Sequence, residues 1–215
     1  FIMANKQKYI VDELISEAVK IDLVHDFPDI DVIEKISAPG ASVPVAIESL
    51  PVVRPPANFS TAGILDLQGV INQMQSPVTS PKLFGVYDKS PLNLFKAFVE
   101  SKGRNYNENY YNNLTKDLLP LIYQLKYFYN RPRPAQIASL RGIHLSPYQT
   151  HTSSSPSYPS GHTIQAYVTA IVLAHQFPDL TKELLEIAEL IAQSRVDCGV
   201  HYQSDIIFGR MLASL

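Results

Sequence analysis

Apolar residues recur along most of this chain at three- and four-residue spacing, the mark of helices that bury one face, while the strand signal is weak. Residues 61–75 carry Ile64, Leu65, Leu67 and Ile71, and residues 91–101 carry Leu92, Leu94, Phe95 and Phe98. Leu114 to Tyr129 reads as a further helix, with Pro120 tolerated near its first turn and an end at Asn130 or Arg131, because Pro132 and Pro134 follow. His162 to Gln176 offers Ile164, Tyr167, Val168, Ile171 and Val172. Leu180 to Cys198, with Asp179 as its expected cap, offers Leu184, Ala188, Ile191 and then Arg195. Gly199 suits a left-handed stop, after which His201 to Leu212 forms a last segment. The expected fold is an all-α bundle.

The remaining stretches break that pattern. Residues 6–20 predict a short amphipathic helix with Tyr9, Ile10, Leu14, Ala18 and Val19 near helical spacing. From Pro39 to Pro56 there are five prolines in eighteen residues, which predicts an extended surface stretch. We therefore expect residues 1–57 to form an N-terminal helix and Pro-rich arm, and residues 58–215 to form the helical body. The arm could pack on that body or grip a second chain as a homo-oligomer or larger assembly. Arg104 to Asn113, rich in Asn and Tyr, reads as a loop or helix start, and residues 135–158 as a long loop.

Composition narrows the function classes. The 215 residues suit one domain, and 18 basic against 20 acidic residues give a formal net charge of -2. That balance argues against a general nucleic-acid coat or a polybasic membrane binder, while leaving room for a local basic pocket. The longest apolar run, Ala166 to Ala174, is far short of the roughly 20 residues that span a bilayer, so we expect a soluble chain without a transmembrane segment. Cys198 is the only cysteine, which excludes an intramolecular disulfide and a cysteine zinc cluster.

Three segments carry candidate chemistry. The first, Lys126 to Pro134, ends a helix in a burst of positive charge and aims Arg133 from a stiff Pro-containing stretch; its plain reading is a solvated helix end with dipole-favoured cations. The second, Ser157 to Thr163, enters an apolar helix with Ser160 as N-cap, Gly161 for close backbone approach and His162 on the rim. Free N–H groups there make an anion site, or simply a capped helix start. The third runs from Ser194 to Asp205. Arg195 shares the buried-looking stripe of Ala188 and Ile191, so its guanidinium wants a carboxylate or an anion. His201 and Asp205 lie four apart, neighbours if the segment is helical, so that Asp205 can accept one ring N–H and leave the other nitrogen as a nucleophile. Metal binding by this pair is the weaker reading, and no metal is assigned. Arg131 and Arg141 stand as candidate cations behind the anion-binding groups, His144 and His151 as candidate rim residues, and Tyr127, Tyr129 and Tyr158 as cleft walls or plain packing.

Together the segments resemble the signature of the type 2 phosphatidic acid phosphatase superfamily, which includes soluble class A non-specific acid phosphatases and vanadium haloperoxidases. That signature is Lys, six residues, Arg-Pro; then Pro-Ser-Gly-His; then Ser-Arg, five residues, His, three residues, Asp. Here it reads Lys126 with Arg133-Pro134, Pro159-Ser160-Gly161-His162, and Ser194-Arg195 with His201 and Asp205. The resemblance implies a helical fold of that type and a metal-independent phosphomonoesterase acting on small phosphate esters. Lys126, Arg133, Ser160, Gly161 and Arg195 would bind the phosphoryl group, and His201 would become a phosphohistidine with Asp205 holding its tautomer. His162 would protonate the leaving group, giving a bell-shaped pH profile best on the acidic side. The same likeness favours a periplasmic or extracellular home, implies no cofactor beyond vanadate as inhibitor, and leaves two alternatives. One is a haloperoxidase with vanadate as cofactor; the other is a phosphoanion-binding or structural component of an assembly.

Overall fold

The computed structural model describes residues 50–150 and 152–215. The expected helix over residues 6–20, most of the Pro-rich stretch and His151 lie outside these. Among the described residues there are nine α-helices and no strand, so the fold is all-α. We label them α1 (Thr61–Gln75), α2 (Phe84–Lys89), α3 (Leu92–Ser101), α4 (Glu108–Asp117), α5 (Leu119–Tyr129), α6 (Pro134–Leu140), α7 (Gly161–Gln176), α8 (Thr181–Asp197) and α9 (Gln203–Ala213). Helix α7 packs most extensively on α8 and next on α9, and α1 lies across α8 and α9. The core they enclose is built from Leu67, Val70, Phe95, Val99, Ala170, Leu173, Leu184, Ala188, Ile191 and Ile206. A smaller cluster of Leu118, Ile122 and Ile164 joins α5 to α7.

Local chemistry explains the boundaries. The side-chain oxygen of Ser60 accepts from the Gly63 amide at 3.1 Å and starts α1, which buries Gly63, Leu67 and Val70 at the spacing of one helix face. Asn107 caps α4 in the same way through the Tyr110 amide. The helix expected over Leu114 to Tyr129 is two helices. Pro120 has no N–H to offer one turn back and its ring crowds that carbonyl, so α4 stops at Asp117 and α5 starts afresh at Leu119. Asn130, left-handed at φ 47, then ends α5 where the prolines required it.

Two further expectations change. The stretch 135–158 is not wholly loop: α6 starts on Pro134, and the Gln136 side chain accepts from the Arg133 amide at 2.7 Å. Asp179 does not cap α8; it sits in a 3-10 turn (Pro178–Leu180) and pairs with Arg104 at 3.3 Å, and Leu180 precedes α8 without a side-chain cap. Of the Pro-rich stretch, residues 51–57 run without helix, and the Val53 carbonyl accepts from the buried Tyr158 hydroxyl at 2.8 Å.

The C-terminus of α8 is held from outside. Asp197, 3% exposed, accepts from the amides of Val78 and Thr79 at 3.2 and 2.7 Å and from the Thr79 hydroxyl. Asp197→Ala strands these donors, so we expect a loss of about 2–3 kcal/mol in urea unfolding; an unchanged midpoint would show that water satisfies them.

Candidate active site

Each predicted residue is positioned by its own element. Lys126, on the last turn of α5, turns inward and is 5% exposed, donating to the Pro156 carbonyl at 2.6 Å. Arg133, 8% exposed, leads into α6 and donates to the carbonyls of Ser155 and Val200 at 2.8 and 2.7 Å. The loop ahead of α7 is thus drawn onto the cations by its own carbonyl oxygens. Ser160, fully buried, caps α7: its oxygen accepts from the Thr163 amide and hydroxyl. At Gly161 a Cβ would meet Ile122 at 3.1 Å, a contact tight enough that the Ile122 side chain would have to give way.

Arg195 occupies the stripe that its spacing predicted, at 1% exposure. Its counter-ion is Asp88 on α2, with Nη2 to Oδ1 at 2.9 Å. Thr152 donates to the same oxygen at 2.8 Å. The Arg195 Nε is buried with no partner among the described residues, an orphan donor of the kind that an oxyanion satisfies.

After α8 the chain reverses through Gly199 at φ 78, where a Cβ would collide with Met74. The amides of Val200 and His201 both return to the Arg195 carbonyl at 3.1 Å, which fixes His201 beside Arg195. The His–Asp pair is therefore not made on one helical face as expected, because His201 precedes α9. Asp205, in the first turn of α9, folds back instead. Its Oδ2 accepts from His201 Nδ1 at 2.9 Å, from the Tyr202 amide at 3.0 Å and from the Ser157 hydroxyl, while Oδ1 takes Arg131 Nη1 at 2.6 Å.

These contacts settle both imidazole tautomers. Arg133 Nη1 lies 3.0 Å from His201 Nε2 and can only donate, so Nε2 carries the lone pair and Nδ1 the proton. His162 Nε2 lies 3.0 Å from the Asp88 carbonyl, which can only accept, so in this ring Nε2 carries the proton and Nδ1 the lone pair.

Electrostatics places the set at one locus. Burial, then repulsion from Arg133 and, more weakly, Arg195, pushes Lys126 well below the usual lysine range. Burial and then Arg133 hold His201 well below 6.5, and burial with Arg195 pushes His162 down to about 3. Burial also lowers Arg133 to about 10. Asp205 responds the other way: burial resists its charge, but Arg131 and the His201 hydrogen bond outweigh burial and hold the carboxyl well below its usual range.

Residues from all three motifs therefore converge. Arg131, 2% exposed, joins them by pairing with Asp205 and with Asp66 of α1. Arg141 and His144 are exposed, and His144 meets Ser146. Tyr158 packs into an aromatic stack with Phe208 and Tyr129 rather than standing free. Sequence reasoning missed Asp66, Asp88, Thr152 and the bond from Ser157; only the demand of a buried Arg195 for a counter-ion pointed to any of them.

Residues 114–215 match the family described as the PAP2 superfamily. A non-specific acid phosphatase of Providencia stuartii is 41% identical over 66 residues, 31% of this chain and 27% of that protein. An acid phosphatase of Zymomonas mobilis is 40% identical over 58 residues, 27% of this chain and 22% of that protein. The matched stretches thus span about a quarter of the length of these curated relatives. A transmembrane PAP2-type phosphatidylglycerolphosphate phosphatase of Bacillus subtilis is 24% identical with a TM-score of 0.46, covering 73% of this chain and 83% of that one. Among the described residues of the present chain, no helix is long and apolar enough to cross a membrane.

The depressed histidines make stability depend on pH. An unfolded histidine binds a proton near 6.5, whereas His162 and His201 resist it when folded, so between these values the unfolded chain holds more protons and stability falls as pH falls. Asp205 adds to the loss only further down, as its own low folded value is crossed. The urea midpoint should therefore drop between about pH 7 and pH 5, and phosphate should restore more of it than chloride at equal ionic strength. A midpoint constant over that range would mean that the imidazoles are not buried in neutral form.

Proposed function

We propose that this chain hydrolyses phosphate monoesters in the manner of an acid phosphatase, through a phosphohistidine at His201. The observation that carries the reading is the meeting of Lys126, Arg133 and Arg195 with two imidazoles of opposite tautomer, one backed by a carboxylate. The phosphoryl oxygens take the three cations, the Ser160 hydroxyl and the Gly161 N–H. A phosphoryl oxygen also satisfies the orphan Nε of Arg195 and draws Arg133 away from His201 Nε2. That nitrogen then attacks phosphorus while the ester oxygen departs with its electron pair. Positive charge appears on the His201 ring as the phosphorus–nitrogen bond forms, and Asp205 stabilises it through Nδ1–H. Three side-chain cations neutralise the phosphoryl charge, so no step of this reading calls on a metal.

The proton for the leaving oxygen comes from His162 Nδ1. With His162 pushed down to about 3 by burial and Arg195, it is neutral in the free protein at pH 5 to 7. The proton then arrives with the substrate, either on a phosphate monoanion or by uptake when a dianion raises the histidine. A phosphate ester loses its second proton near pH ~6, so the acidic optimum expected from the sequence follows from the substrate as much as from His162. In the second half His162 Nδ1 takes a proton from water, which attacks phosphorus and frees His201.

Phosphate release from an aryl phosphate is the direct test. We expect His201→Ala to lower kcat by about 10⁴-fold or more while vanadate still binds, and Asp205→Asn, which holds the wrong tautomer, to lose about 10²–10⁴-fold. Calorimetry in buffers of different ionisation enthalpy should show proton uptake on vanadate binding. Normal turnover in His201→Ala would remove the nucleophile, and binding without proton uptake would exclude the route by uptake, leaving the proton to come on the monoanion.

A further inference from the structure

One buried guanidinium is not used by the chemistry above. Arg131 sits between two carboxylates, with Nη1 at 2.6 Å from Asp205 Oδ1 and Nη2 at 2.9 Å from Asp66 Oδ2. Its Nη1 also meets the Ser204 hydroxyl at 2.6 Å, Ser204 in turn donates to Asp66, and the guanidinium plane lies 3.7 Å from the Tyr202 ring centroid. Such a fork has one fitting orientation, and Asp66 sets it from α1.

We propose that Arg131, anchored by Asp66, is a positioning residue that locks Asp205 so that His201 keeps its proton on Nδ1 and its lone pair on Nε2. The inference rests on the reading of His201 as the nucleophile. Asp205 must present Oδ2 to His201, and the Oδ1 contact with Arg131 prevents the carboxylate from rotating. The guanidinium also draws negative charge away from the His201 side, so the shared proton stays on nitrogen and the carboxyl stays ionised in acid. The other groups facing Asp205 are Ser157, the Tyr202 amide, Lys126, Arg133 and the phenols of Tyr158 and Tyr202. Of these, the cations Lys126 and Arg133 belong to the phosphate-binding set, which leaves Arg131 as the cation dedicated to Asp205.

The signs of two substitutions separate positioning from plain structural support. Arg131→Gln removes a positive charge, so a proton enters the Asp205–His201 pair at higher pH. Asp66→Asn removes a negative charge, so the proton enters at the same or lower pH. In full-length protein we expect Arg131→Gln to move the acid limb of kcat/KM upward by about one pH unit or more. Arg131→Lys, which keeps the charge without the fork, should fall between Arg131→Gln and wild type, and Asp66→Asn should show no upward movement. Acid limbs that coincide in Arg131→Gln, Arg131→Lys and wild type overturn the proposal, even if all rates fall. Should Arg131→Gln not fold, the Arg131→Lys and Asp66→Asn limbs decide, and an upward shift in Asp66→Asn as large as that in Arg131→Lys overturns it.

A second readout is independent of turnover. Nitrogen-15 spectra of His201, identified by its loss in His201→Ala, should show the Nδ1–H form in wild type at neutral pH and a tautomer mixture in Arg131→Lys. One tautomer in both overturns the proposal. If wild type hydrolyses no phosphate ester, the enzyme reading fails on its own, and these spectra still judge Arg131.

Discussion

The structure depends on balancing positive charge that has been taken out of water. Lys126, Arg131, Arg133 and Arg195 are all nearly inaccessible to solvent, and a buried cation without a partner is among the costliest features a protein can carry. Asp66 and Asp205 both pair with Arg131 and Asp88 pairs with Arg195, while loop carbonyls accept from Lys126 and Arg133. Lys126 and Arg133 meet no carboxylate in an ion pair among the described residues, so an anion entering this low-dielectric setting would be attracted to them. The depressed histidines express the same excess, since each refuses a proton that would add to it.

The carboxylates do more than neutralise. Asp205 opens α9 through the Tyr202 amide and orients His201 with the same oxygen, so the start of the last helix and the state of the imidazole are one arrangement. Asp88 holds Arg195 with its side chain and His162 with its main-chain carbonyl, and thereby ties a buried guanidinium to a buried imidazole across two helices. Stability and chemistry draw on the same hydrogen bonds.

How much of this could be read beforehand depended on range. Periodicity placed α1, α3, α7 and α8 because each buries a stripe visible within its own residues. The burial of Arg195 was legible for the same reason, falling in step with Ala188 and Ile191. The motif residues were legible as a set because their types and spacing are tied to one chemistry. Asp66 and Asp88 were not, since the arginines that they face lie 65 and 107 positions further along the chain and a lone acid in a helical stretch looks like surface. Helix α6 was overlooked although Pro134 and Gln136 both mark a helix start, because the Ser, Pro and His content of the following residues dominated the reading. The split at Leu118 turned on a missing N–H at Pro120, which hydrophobic spacing does not register.

The matched family region begins at residue 114, yet Asp66 and Asp88 stand before it. Excising that region alone would keep every cation and both imidazoles but discard the partners of Arg131 on α1 and of Arg195 on α2. Two guanidiniums would then sit in the interior with their charge balance broken. The border drawn by similarity thus cuts through two buried ion pairs.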